Sequence, residues 1–136
     1  MVFADTSYWV ALFNPDDQWA RAARRAKDAV GAVQLLTTDE VLNEFATIVG
    51  CNEYLRLRTV DTIYWILRNP NVKVVPQSRD SFRRGVEFFS RRLDKDYSLT
   101  DCIAMSTMHA EGITQVLTSD HHFEQEGFKA LMIIKQ

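Results

Sequence analysis

The sequence predicts an α/β fold: a three-layer α/β/α sandwich with a central, mainly parallel sheet, built as a single domain over residues 1–136. Three observations lead there. Short apolar runs alternate with longer stretches of helical periodicity, the pattern of a parallel sheet covered by helices on both faces. No internal repeat, low-complexity tract or linker rich in Pro, Gly or Ser divides the chain. A length of 136 residues suits one core, able to bury about two-thirds of the unfolded surface.

In chain order, the strands are expected at "VFA" (2–4), "VQLLT" (33–37), "VKVV" (72–75), "QVLT" (115–118) and "ALMII" (130–134). Helices are expected near 6–13, 17–30, 38–51, 53–68, 79–93 and 99–110. Asp16 and Asp17 open the second helix, Trp19, Ala22, Ala23, Ala26 and Val30 form its inner stripe, and Gly31 stops it. Thr37-x-x-Glu40 reads as a capping box for the third, with Val41, Phe45, Ile48 and Val49 inside. The fourth is apolar on nearly every side, through Leu55, Leu57, Val60, Ile63, Tyr64, Trp65, Ile66 and Leu67. Such a helix is either enclosed by the fold or covered by another chain.

The bulk composition narrows the function classes. Hydrophobic residues make up 46% and charged residues 25%, ordinary values for a soluble globular protein. A formal charge of −2 gives no global basic signature of nucleic-acid binding, yet leaves room for a local basic face. Cys51 and Cys102 are too few and too far apart for a zinc framework, and their number fits free thiols in a reducing, cytoplasmic compartment. The start "MVFADTSYWVALF" lacks a basic n-region and carries Asp5, unlike a signal peptide, and no run approaches a membrane span.

Four acids stand out. Asp101 in "SLTDCIAMSTMHAEG" shares an i, i+4, i+7 stripe with Met105 and Met108, where a carboxylate needs a partner. A capping box, Ser98-x-x-Asp101, is one explanation. Asp5 and Asp120 each follow a strand, where turn and cap residues are common but where ligands of open α/β sheets also collect. Glu44 borders the apolar stripe of its helix beside Ile48. Brought together, such acids repel: two unit charges about 4 Å apart cost roughly 4 kcal/mol at an effective dielectric near 20. Protonation or a shared divalent cation relieves this, and a set of carboxylates suits Mg²⁺ or Mn²⁺. Zinc is disfavoured, since no His or Cys pair has ligand spacing.

These residues resemble the PIN-domain nucleases, especially the VapC-type toxins of toxin–antitoxin pairs. "FADTSYWVALFNPDD" is similar to the family's opening, Glu44 in "TTDEVLNEFATIV" to the second motif and Asp101 in "SLTDCIAMSTMHAEG" to the third. The fourth is matched by "VLTSDHHFEQEGF", through Thr118, Asp120 and Phe123. The likeness spans the chain in order, while residues 52–92 are generic. It implies a metal-dependent endoribonuclease whose site, Asp5, Glu44, Asp101 and Asp120, binds one or two Mg²⁺ or Mn²⁺ ions. Thr6 and Thr118 would steady the carboxylates. It also implies a homodimer and an antitoxin partner, with residues 53–68 as contact surface for either. A housekeeping RNA-processing nuclease, a catalytically silent RNA- or protein-binding module, and another Mg²⁺ phosphotransferase are the alternatives.

Other residues are read more plainly. His121 and His122 are expected in an exposed loop, and His109 complements the end of its helix. Trp9, Trp19 and Trp65 fit core or interface positions rather than base-stacking ones. Arg79, Arg83, Arg84, Arg91, Arg92 and Lys95 make residues 79–95 locally basic, either a solvated face or an RNA-guiding surface, with Arg84 and Arg91 as its test positions.

Overall fold

The computed structural model describes residues 1–134 and contains one five-stranded sheet in which every pairing is parallel. Its elements run β1 (Val2–Ala4), α1 (Thr6–Phe13), α2 (Ala20–Val30), β2 (Leu35–Thr38), α3 (Asp39–Val49), α4 (Glu53–Arg68), β3 (Val72–Val75), α5 (Arg79–Ser90), α6 (Leu99–Glu111), β4 (Gln115–Leu117), α7 (His122–Gln125) and β5 (Lys129–Ala130). The sheet order is β3-β2-β1-β4-β5, flanked by helices as an α/β/α sandwich. This bears out the expected fold class.

The strand order matters for function. The chain winds outward from β1 through β2 to β3, then returns to the other side of β1 for β4 and β5. The β1/β4 boundary is therefore the topological switch point, where connections leave in opposite directions and a crevice opens beyond the strands' carboxyl ends. Asp5 follows β1 there, and Thr118 to Asp120 follow β4.

Strand β1 is buried along its whole length, with Phe3 level with Leu36 on one side and Val116 on the other. Trp9, Phe45, Met105, Met108 and Phe123 fill the core around it. Close helix packing also depends on Gly85 in α5: a Cβ there would stand 2.3 Å from Ile103 Cγ1 of α6. Gly85→Ala is expected to destabilise the protein by roughly 1–3 kcal/mol, an overpacking cost exceeding alanine's helix preference. A thermal melt checks this; an unchanged or raised Tm would contradict the tight α5–α6 seam.

Several local expectations shift. β2 extends to Thr38, whose register opposite Val75 keeps Thr37 inside the sheet. Thr37 Oγ1 donates to the Ala4 carbonyl and accepts from Trp9 Nε1, so Thr38 caps α3 by accepting from Val41 N. No box closes with Glu40. α2 begins at Ala20, because Asp17 turns the chain by accepting from Trp19 N at 2.9 Å. β5 covers only Lys129–Ala130 rather than 130–134. α4 is not enclosed: only Thr59 and Ile66 are buried, while Tyr54, Leu57, Tyr64 and Trp65 are each more than half exposed. No helix among the described residues is long and apolar enough to cross a membrane.

Candidate active site

At the switch point a cleft of about 220 Å³ gathers Asp5, Glu44, Asp101 and Asp120 on its wall. Each comes from a different segment: the end of β1, the middle of α3, the first turn of α6 and the loop after β4. The fold thus brings the four sequence-selected acids together. Asp17 and Ser7 also line the cleft, and Val10, Trp19 and Ile48 give it an apolar side.

Asp5 occupies the N-cap position of α1, but its side chain makes no capping bond. Its Oδ2 accepts instead from Thr118 Oγ1 at 2.8 Å. Thr118 in turn accepts from Asp120 N at 3.0 Å, so one hydroxyl fixes both strand-end acids. With the Thr118 proton directed at Asp5, the 3.2 Å contact to Ser7 Oγ is one in which Ser7 donates. Ser7 itself accepts from Ser119 N. Thr118 thus bonds to the Asp5 carboxylate and to the backbone of Asp120, whereas the Thr6 Oγ1 is buried without a hydrogen bond and Thr6 reaches Asp5 through its backbone N–H.

Asp101 closes a cap and also lines the cleft. Ser98 Oγ accepts from Asp101 N, and Asp101 Oδ2 accepts from Ser98 N, a complete capping box at the start of α6. The same carboxylate nevertheless faces the cleft and is 9% exposed. A cap alone requires no such burial.

The electrostatics follow from the crowding. Burial pushes the Asp5 carboxyl up to about 7, against the lowering effect of Thr6 and Thr118, with Asp101 and Glu44 pushing it further upward. Burial also raises Asp101, opposed by Ser98 and reinforced by Asp120 and Glu44. Neighbouring Cys102 is fully buried, and burial raises its thiol to about 11, which keeps it protonated and unsuited to nucleophilic attack.

Of the two adjacent histidines, His122 departs from expectation. His121 is exposed, but His122 is not a loop residue facing solvent: it starts the short helix α7, which turns its ring inward. Consecutive helical residues point about 100° apart, so the pair divides between solvent and cleft. His122 Nδ1 lies 3.0 Å from Asp120 Oδ1 and 3.9 Å from Asp101 Oδ2. His122 N also donates to Asp120 Oδ1. The α7 end is anchored by Glu126, which pairs with Arg92 and accepts from Tyr97 Oη at 3.0 Å. The Arg92 guanidinium, foremost, holds the Glu126 carboxyl below its usual range.

The donor chemistry fits a divalent cation. Four carboxylates line one cleft, two of them, Asp5 and Asp101, with raised affinities for protons, and hard oxygen donors of this kind are satisfied by such an ion. His122 Nδ1 and Thr6 Oγ1 are buried at the site without hydrogen-bond partners.

Known proteins share this arrangement of elements. The sequence is 28% identical, over 94% of this chain and 95% of the relative, to the 23S rRNA-specific endonuclease VapC20 of Mycobacterium tuberculosis. The crystal structure of that protein, described as a sarcin-ricin loop cleaving toxin, superposes with a TM-score of 0.82 at 26% identity, covering 94% of this chain and 96% of that one. A toxin–antitoxin complex from Klebsiella pneumoniae shares the fold at 20% identity and a TM-score of 0.60, covering 89% of this chain and 88% of that one. The PIN-domain family profile matches residues 2–129. With the acids of all four motifs gathered at the switch point of its sheet, the chain belongs to the PIN-domain family.

Proposed function

We propose that residues 1–136 form one PIN nuclease domain acting as a metal-dependent endoribonuclease, the toxin of a toxin–antitoxin pair. The observation that carries this is the convergence of four carboxylates from four segments into one cleft, with Asp5 and Asp101 holding protons unusually strongly. A housekeeping RNA-processing role would use the same site. The likeness to an rRNA-specific toxin over nearly the whole chain supports the toxin.

Asp5, Asp101 and Asp120 would hold Mg²⁺ or Mn²⁺, with Glu44 completing the set or receiving the proton of the attacking water. Such an ion, when bound, supplies charge neutralisation, polarisation of the phosphate and a more acidic water. Thr118 orients Asp5 and Asp120 for their task through its two hydrogen bonds. A phosphodiester at the acids places a flanking nucleotide against Trp19, Val10 and Ile48, an apolar wall suited to a base. The sequence alone assigns Trp19 to a core or interface position. Its proximity to the acids is set by the turn at Asp17.

The test is incubation of purified protein with total RNA, including intact 23S rRNA, in Mn²⁺, in Mg²⁺ and in EDTA. Discrete cuts that need the metal are expected. RNA left whole by a folded protein in both metals would count against the reading.

Arg84 is exposed on α5 and Arg91 is exposed at its C-terminal cap, paired to Asp80 and Glu87 of that helix. As surface pairs they hold their partners weakly and stay open to phosphate. Reversing both charges is expected to weaken RNA binding and to flatten its dependence on salt by about one unit of slope for each phosphate that is no longer neutralised. Unchanged binding across a salt titration would remove them from the interface.

A second chain, either an antitoxin or another copy in a homodimer, is proposed to cover the apolar face of α4. Half-exposed Leu57, Tyr64 and Trp65 on one helix are costly to leave in water. Leu57→Glu or Tyr64→Glu should lower the assembly mass or abolish antitoxin binding, measured by light scattering and co-purification. A cytoplasmic setting accords with the free thiols of Cys51 and Cys102.

A further inference from the structure

We infer that His122 supplies a nitrogen ligand to the cation site, and that this nitrogen tilts the site's preference away from Mg²⁺ towards later divalent ions such as Co²⁺. The inference rests on the cation-binding reading above and adds to the four acids a donor of different chemistry.

Ligand atoms of Asp101, Asp120 and His122 all lie within 4.8 Å of one another, the one such grouping among the described residues. The 3.0 Å between His122 Nδ1 and Asp120 Oδ1 is the spacing of two adjacent ligands on an octahedral ion, whose bonds of about 2.1 Å at right angles put donors about 3 Å apart. Nδ1 is buried and makes no directed hydrogen bond, so its approach to Asp120 is an ion pair when the ring carries a second proton and a pair of adjacent ligand atoms when it does not.

The ring is also held from behind. Tyr97 meets it edge-on, with centroids 5.6 Å apart, and the Tyr97 hydroxyl donates to Glu126, which Arg92 fixes in turn. A ring braced this way presents its nitrogen with little freedom to turn aside, as second-row contacts do for metal-binding histidines. His121, exposed one residue earlier, packs on the His122 ring with centroids 4.6 Å apart and lies farther from Asp120, at 4.0 Å.

The chemical consequence follows from donor softness. Carboxylates and water favour Mg²⁺ and Mn²⁺, whereas an imidazole adds affinity for Co²⁺, Ni²⁺ and Zn²⁺. Removing the nitrogen while leaving the acids should therefore cost Co²⁺ much more than Mg²⁺.

Binding of the metal alone is measured by calorimetry for Co²⁺ and Mg²⁺ on wild type, His122→Asn, His121→Asn and Asp101→Asn. Pulsed EPR of the Mn²⁺-loaded wild type reads nitrogen coupling directly and needs no variant. Expected are a ¹⁴N coupling in wild type that persists in His121→Asn, and a Co²⁺/Mg²⁺ affinity ratio at least about tenfold lower in His122→Asn. Absence of ¹⁴N coupling in a metal-loaded wild type, or an unchanged ratio in folded His122→Asn, overturns the inference while leaving the four-acid site standing. Failure of wild type to bind any of these ions, with Asp101→Asn no different, overturns the cation reading itself.

Discussion

Asp101→Asn is expected to abolish RNA cleavage and, in the same molecule, to make the metal-free protein more stable. The two effects come from one feature. In the role proposed for it, the Asp101 carboxylate would help hold the cation that neutralises charge at the phosphate, and removal of such a ligand costs several kcal/mol, on the order of a 10³-fold loss of rate. Without a cation, the same carboxylate is 9% exposed and faces the charges of Asp120 and Glu44. Asparagine keeps an oxygen that accepts from Ser98 N, so the cap at the start of α6 survives. The unfavourable charge does not. The rise in Tm at pH 8 in EDTA should reach several degrees, as about 1–2 kcal/mol gives in a domain of this size. A lower Tm in EDTA would contradict the charge repulsion argued for the metal-free cleft, and retained cleavage by the folded variant would remove Asp101 from the catalytic set.

The second large effect concerns pH. Asp5 has a carboxyl raised to about 7 in the folded chain against an ordinary value of 3.8, and Asp101 moves in the same direction. Between those two values the folded protein binds more protons than the unfolded chain. Stability of the metal-free protein therefore falls as pH rises through that window, the opposite of a salt-bridged carboxylate. For Asp5, about three pH units correspond to at most about 4 kcal/mol. Metal binding competes with those protons and so strengthens as they leave. Melting curves from pH 5 to pH 8 should show a falling Tm in EDTA, and a gain on adding Mn²⁺ that grows with pH. A Tm independent of pH and metal would mean that the acids do not share a low-dielectric cleft.

Much of the cleft is legible in the sequence because three of its acids sit at predictable places. Asp5 and Asp120 lie just beyond short apolar strands, and in a parallel sheet the carboxyl ends of adjacent strands are neighbours. Asp101 shows itself through a conflict, a charge on a stripe with Met105 and Met108, both of them fully buried. What the sequence hides depends on short-range geometry. His122 is brought inward by a four-residue helix too short to leave a periodic pattern. Ser7 and Asp17 reach the cleft through a hydroxyl relay and a turn. The capping of α3 moves from Thr37 to Thr38 because sheet register, a long-range property, overrides a local signature. Periodicity likewise shows that α4 is apolar on nearly every side but carries no information on whether its own chain covers it.

The most direct measurement follows the oxygen. If water held at the acids attacks phosphorus, a water oxygen–phosphorus bond forms, one ester bond breaks and a carboxylate takes the proton. Cleavage in ¹⁸O-labelled water with Mn²⁺ should then place one labelled oxygen on the new phosphate monoester, and a substrate carrying a 2′-deoxy nucleotide at the cut should still be cleaved. Products ending in 2′,3′-cyclic phosphate, with cutting abolished by 2′-deoxy substitution, would show that the RNA's own hydroxyl is the nucleophile and would contradict the role assigned to Asp5, Glu44, Asp101 and Asp120.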